Sequence, residues 1–154
     1  MTATRPGAPT PMDMALVEAE AAAGRGEVPV GAVLLGPDGA TLASDGNRIV
    51  EQADPTAHAE ILVLRAAARR LGTPRLVDCD LYVTLEPCPM CAYAISLARI
   101  RRLYFGAADP KAGGVEHGPR VLASTSCHHR PDIYGGIGER RAQDLLQDFF
   151  RQRR

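Results

Sequence analysis

Four residues in two short stretches of this sequence could do chemistry together. TAHAE (56–60) holds His58 and, two residues on, Glu60. TLEPCPMC (84–91) holds Cys88 and Cys91. A cysteine pair with that spacing points to metal or redox chemistry, and for a metal two ligands are not enough. Each stretch opens a helical pattern, AEILVLRAAARRL in one case and CPMCAYAISLARI in the other. Two helix starts that face each other across one end of a sheet would bring His58, Cys88 and Cys91 to one point. Structural zinc sites are closed by four protein ligands, whereas catalytic ones keep three and leave a position for water. The set therefore predicts one catalytic ion per chain, and thiolate with imidazole favours zinc. Zinc lowers the pKa of a bound water from about 15.7 to roughly 7, which makes hydroxide available at neutral pH. Glu60 is expected to act as a base and not as a ligand, a role worth on the order of a hundred- to ten-thousand-fold in rate.

Blander readings compete with this one. His58 alone would be a capping or core histidine. Glu60 alone would favour the positive end of its helix. The CxxC alone would be a thioredoxin-like redox pair, but that motif follows a first strand and has no matching His-x-Glu. It is the combination that carries the metal reading. Cys79 is expected to be a buried thiol. CHH (127–129) is expected to pack or to touch substrate, and not to hold a second metal.

The elements that must position these residues follow from periodicity and breakers. A helix is expected over 12–24, ended by Gly24. Strands over 29–36 and 40–47 flank the turn PDG and should pair antiparallel. A polar loop covers 47–57. A helix from His58 to Leu71 closes at Gly72 and Pro74. A strand over 80–85, a helix over 88–100 with Pro89 in its first turn, and a strand over 101–107 come next. A Gly-rich loop fills 109–119, and a last helix runs over 138–154. Strand–helix–strand crossovers imply an α/β fold, a three-layer α/β/α sandwich on a central mixed sheet.

The 154 residues are enough for one domain with a core, spanning 1–154 behind a disordered lead over 1–11. No apolar run reaches membrane-span length, and MTATRPGAPTP has no signal-peptide core. A cytoplasmic setting with reduced cysteines is expected. Net charge is zero, so no global field draws the chain to nucleic acid. Arginine supplies every basic residue except Lys111. In an Ala- and Gly-rich chain that bias follows from genomic composition, or it supplies planar phosphate contacts. The terminal RQRR, with Arg151, Arg153 and Arg154, is the local candidate for such contacts, and a solvated helix end is the alternative.

His-x-Glu with Pro-Cys-x-x-Cys resembles the zinc-dependent cytidine deaminase superfamily. The closer likeness is to the bacterial tRNA adenosine deaminases. It is carried by EVPVGAVL (27–34), GNR (46–48), DPTAHAEI (54–61), LYVTLEPCPMC (81–91), ARIRRLYFGAADPKAGG (98–114) and DFFRQRR (148–154), nearly the whole length. The resemblance implies that the wobble adenosine of a transfer RNA, an arginine acceptor, is converted to inosine with loss of ammonia. In that scheme His58, Cys88 and Cys91 hold zinc, hydroxide attacks carbon 6, and Glu60 moves the proton to the ring nitrogen and then to the departing amine. Asn47 matches the base-reading asparagine, whose amide can pair with donor and acceptor edges of adenine; as a bare sequence feature, DGN is also turn chemistry. Asp109 matches a residue that contacts the neighbouring sugar, which implies selectivity for RNA. Lys111 would neutralise phosphate. Phe149, Phe150, Arg151 and Arg153 match a helix that touches the anticodon loop, with one phenylalanine facing the core. Glu86 is expected beside the metal, orienting ligand or backbone, and Pro87 to shape the pocket. His128 and His129 match paired polar residues of the family only loosely, because 115–136 departs from its pattern. Family members are homodimers, and LARIRRLYF (97–105) is the implied contact. The partners implied are thus a tRNA anticodon stem-loop and a second copy, with no membrane and no organic cofactor.

Two rival functions remain open at this level. One is deamination of a free base or nucleoside, such as guanine, by the same zinc chemistry. The other is a non-catalytic zinc-containing RNA-binding subunit, which would have no use for Glu60.

Overall fold

The computed structural model describes residues 7–153. The start of the expected lead, and Arg154, lie outside the described residues. Helix α1 is Pro11–Gly24. Thr10 caps it: its hydroxyl accepts from the Asp13 N–H while the Asp13 carboxylate accepts from the Thr10 N–H. Met12, Ala15, Leu16, Ala19 and Ala22 recur at helical spacing and are buried.

Strands β1 (Gly31–Leu35) and β2 (Thr41–Gly46) form the antiparallel hairpin expected from PDG. Helix α2 is Ala59–Leu71, ended by Gly72 in the left-handed conformation. Strand β3 is Asp80–Leu85, helix α3 is Pro89–Leu97 and strand β4 is Arg102–Ala107. Helix α4 is Glu139–Gln152. With a short strand β5 at Asp132–Tyr134, the sheet order is β2-β1-β3-β4-β5, mixed as expected: β1 runs antiparallel to β2 and β3, while β3, β4 and β5 are parallel. Helices α2 and α3 pack on one face around Val63, Ile95, Leu81 and Phe105, and α1 and α4 on the other around Leu16, Val33 and Ala142. That is the three-layer arrangement.

Three details depart from the sequence expectation. Thr10 and Pro11, inside the lead expected to be disordered over 1–11, cap and begin α1. Strand β5 (Asp132–Tyr134) completes the sheet within a segment expected to be irregular. Its register is set across strands, where Tyr82, Tyr104 and Tyr134 stack with centroids 4.3 and 5.0 Å apart. Helix α3 stops at Leu97 instead of running to Ile100. Arg99, just past its cap, has φ 65°. This is the left-handed region where a non-glycine residue costs roughly 1–2 kcal/mol. None of the helices among the described residues is long and apolar enough to cross a membrane.

Candidate active site

The C-terminal ends of parallel β3 and β4 and the N-termini of α2 and α3 meet at one pole of the sheet, the end of an open α/β sheet where ligands bind. His58 is the N-cap of α2 and Cys88 the N-cap of α3, with Pro89 beginning the latter helix. Cys91 lies in the first turn of α3 and is buried. His58 Nδ1 is 3.7 Å from Cys88 Sγ and 3.5 Å from Cys91 Sγ. A tetrahedral zinc with ordinary bond lengths separates nitrogen from sulfur by about 3.6 Å. The three ligand atoms lie within 4.8 Å of one another. The donors also have the chemistry of a cation site. The Cys88 thiol is pulled down to about 4, chiefly by the Cys91 thiol and then by His58, while the same coupling and burial push Cys91 upward. The His58 imidazole is raised, first by Cys88. Residues and geometry fit zinc.

Glu60 is 3% exposed in the first turn of α2. Burial raises its carboxyl above the usual range, and the Cys88 charge adds to this. A buried carboxyl next to a cation site can both take up and give back a proton.

Asn47 is buried at the end of β2. Its Oδ1 accepts from the Ala59 N–H at 2.9 Å, holding the first donor of α2. Its Nδ2 has no partner among the described residues, so what remains for a base is a donor and not a two-sided amide. Arg25, which the sequence did not single out, donates from Nη2 to the Asn47 carbonyl at 3.1 Å, and its Nε is buried without a partner among the described residues. Glu27, also unflagged by the sequence, accepts from the Val50 and Glu51 N–H groups and fixes the loop that leads from Asn47 to His58.

Glu86 organises the other side of the site. Its buried carboxylate accepts from the N–H groups of Asp109, Val115, Glu116 and His117 at 3.0–3.2 Å, and pairs with His117 Nδ1 at 2.7 Å. Burial opposes its charge, but the Asp109 N–H, the His117 ring and the Glu116 and His117 N–H groups outweigh it and hold the carboxyl below its usual value. Pro87 accepts from the Gly114 N–H at 2.8 Å. A Cβ on Gly114 would sit 2.5 Å from Pro89 N and 2.8 Å from the Cys88 carbonyl carbon, so only glycine lets the loop lie against the ligand-bearing turn. His117 and Gly114 are site residues that the sequence reading missed.

Asp109 Oδ1 accepts from the Lys111 and Ala112 N–H groups. Asp109, Lys111 and Phe150 line one hollow of about 550 Å³ at this pole, together with Val28, Leu85 and Leu146. Phe150 is 51% exposed, and with Arg151 it also lines a second hollow of about 390 Å³. Phe149 is the phenylalanine that packs inward, with the Arg153 guanidinium 4.2 Å above its ring. His128 is exposed. His129 is not brought to the triad. Its Nε2 is bonded to the Ile100 carbonyl at 2.7 Å, at the opposite pole where β4 begins.

The family model described as "Cytidine and deoxycytidylate deaminase zinc-binding region" matches residues 9–107. A tRNA-specific adenosine deaminase of Agrobacterium fabrum is 57% identical over 143 residues, 93% of each chain. A solved structure from a study of A-to-I editing by tRNA:A34 deaminases at the wobble position is 57% identical, covers 88% of this chain and 98% of its own, and superposes with a TM-score of 0.87. A guanine deaminase structure from Bacillus subtilis is 39% identical over 64% of this chain and 62% of its own, with a TM-score of 0.60. The chain belongs to the cytidine and deoxycytidylate deaminase family, among its tRNA-specific adenosine deaminases, and is a hydrolytic deaminase.

Proposed function

We propose that this chain deaminates the wobble adenosine of a transfer RNA, an arginine acceptor, to inosine, with one zinc per subunit. The observation that carries the reading is the hollow at the same pole of the sheet, where Asp109, Lys111 and the half-exposed ring of Phe150 share one lining. A free base is served by a closed pocket. A single-stranded loop is served by an open groove with a stacking ring and a cation.

His58, Cys88 and Cys91 would hold the zinc, which would supply a water acidic enough to ionise near neutrality. Glu60 takes one proton from the water as its oxygen adds to carbon 6 and passes it to the ring nitrogen, then takes the second from the new carbon 6 hydroxyl and passes it to the amine, and ammonia leaves. Water and adenosine thus balance inosine and ammonia. Asn47 Nδ2 donates to a purine acceptor such as N7; the Ala59 N–H holds the side-chain amide through Oδ1, and Arg25 holds the Asn47 main-chain carbonyl. The second Asp109 oxygen accepts from a 2′-hydroxyl that DNA lacks. Lys111 and Arg151 meet phosphate, and Phe150 stacks on an unpaired base.

The test compares an anticodon stem-loop bearing a wobble adenosine with free adenosine and free guanine. Inosine is expected only in the stem-loop. Phe150→Ala should raise KM for the stem-loop by about 5- to 150-fold, the equivalent of roughly 1–3 kcal/mol of stacking. Turnover of guanine with the stem-loop untouched would favour the guanine deaminase likeness instead.

We further infer a homodimer through the α2–α3 face, and a reducing cytoplasm as the place of work. Ile61, Leu64, Ala68 and Leu97 line a shallow apolar groove there, and Leu97 is 62% exposed. The cysteines of the described residues are all free. Leu97→Arg should convert a dimer mass to a monomer mass in sedimentation; a wild-type monomer would refute the assembly.

A further inference from the structure

The pole of the sheet away from the triad carries a second cleft, of about 450 Å³, that the deaminase chemistry does not use. Arg75, Arg99, Arg101 and Arg130 reach it from three segments of the chain, Arg99 and Arg101 sharing the one between α3 and β4. Two carboxylates, Asp78 and Asp132, share the lining, so cations outnumber anions. Their pairing is uneven. Arg101 is committed to Asp80 through Nε and Nη2, both at 3.0 Å. Arg130 Nε is bonded to the Leu122 carbonyl at 2.7 Å, which leaves its two terminal nitrogens. The guanidinium groups of Arg75 and Arg99 have no hydrogen-bond or ion-pair partner among the described residues.

The backbone at this cleft is unusual as well. Asp78 (φ 61°) and Arg99 (φ 65°) are both left-handed without being glycine, and both line the cleft. Arg99 occupies the position after the α3 cap where glycine is the least strained choice. A cation near a helix C-terminus is favoured by the dipole. Any residue of the last turn could supply that charge without strain, and it would not explain why Arg75 and Arg130 converge on the same cleft. Like charges held around one cleft repel one another unless an anion sits between them. Guanidinium groups with free, fork-shaped donors match phosphate oxygens in particular.

We propose that this cleft is a phosphate-binding site, separate from the deamination centre, with Arg75 and Arg99 as its principal ligands. The phosphate is a free oxyanion or a phosphodiester of an RNA chain, and the experiment separates the two. Zinc-loaded protein is titrated with inorganic phosphate by calorimetry, and in a second arm with a labelled blunt RNA duplex that has no loop adenosine. The variant is Arg75→Ala/Arg99→Gly, since glycine suits the left-handed backbone and leaves the fold intact. The control is Arg69→Ala/Arg140→Ala, which removes the same charge from exposed sites on α2 and α4.

The expected result is binding by wild type and by the control, weakened at least about tenfold in the cleft variant. A loss in the phosphate arm identifies a free oxyanion as ligand, and a loss in the duplex arm alone identifies a phosphodiester. Equal losses in the two variants would reduce the effect to overall charge and overturn the site. So would unchanged binding, no binding by wild type, or a change of solution mass in the cleft variant, which would assign these arginines to assembly.

Discussion

Glu60→Gln lowers kcat on a wobble-adenosine stem-loop by about 100- to 10,000-fold while the protein keeps its zinc. The amide matches the carboxyl in shape, and the site admits little else, because Glu60 is 3% exposed in the first turn of α2. What is lost is the ability to accept a proton from water and return it to the purine. The fold does not suffer. Burial already raises the Glu60 carboxyl, so the charged form is the disfavoured one in the folded chain. A neutral amide relieves that burden. The ligand atoms belong to His58, Cys88 and Cys91, which the substitution leaves unchanged. The measurement is single-turnover inosine formation alongside metal content by atomic absorption. Turnover within a few-fold of wild type would remove Glu60 from the proton path. Loss of zinc would make it a ligand instead.

The legible part of this site was local. His58, Glu60, Cys88 and Cys91 sit within one turn of two helix starts, and helix starts announce themselves through periodicity and Pro89. The hairpin was legible for the same reason, since PDG dictates its turn. What could not be read depended on distant partners. Asp-Ile-Tyr at 132–134 becomes a strand because β4 pairs with it and Tyr104 stacks on Tyr134, and three residues carry no period of their own. The end of α3 was misplaced because an arginine, and not a glycine, takes the left-handed position that stops it. Phe149 and Phe150 are adjacent, so on a helix they point about 100° apart, and only packing decides which is buried. The metal triad was therefore visible in advance, while the shape of the surface around it was not.

Glu86 shows how far that limit reaches, and Glu86→Gln should be the more informative variant for the loop. The carboxylate gathers four backbone N–H groups and the His117 ring from a segment 23 to 31 residues downstream. In the sequence it is only an acid before a proline. A glutamine keeps one acceptor oxygen and turns its NH2 toward donors. Losing charged hydrogen bonds of this kind costs about 2–4 kcal/mol. For a chain of this length that is roughly 4–16 °C in Tm. Zinc should remain bound, since Glu86 is not a ligand. Activity should nonetheless fall by about 10- to 100-fold in kcat/KM for the stem-loop, because the same bonds hold Asp109 in the groove. Acid should reproduce the effect in the wild type. The folded carboxyl lies below its ordinary value of 4.5, so its contribution to stability is complete above that pH and is lost as pH falls through the lower, folded value. The Tm gap between wild type and Glu86→Gln should be flat near neutrality and close below 4.5. A gap that persists into strong acid would mean that shape, and not charge, makes Glu86 the anchor. An unchanged KM for the stem-loop would separate the loop from RNA recognition altogether.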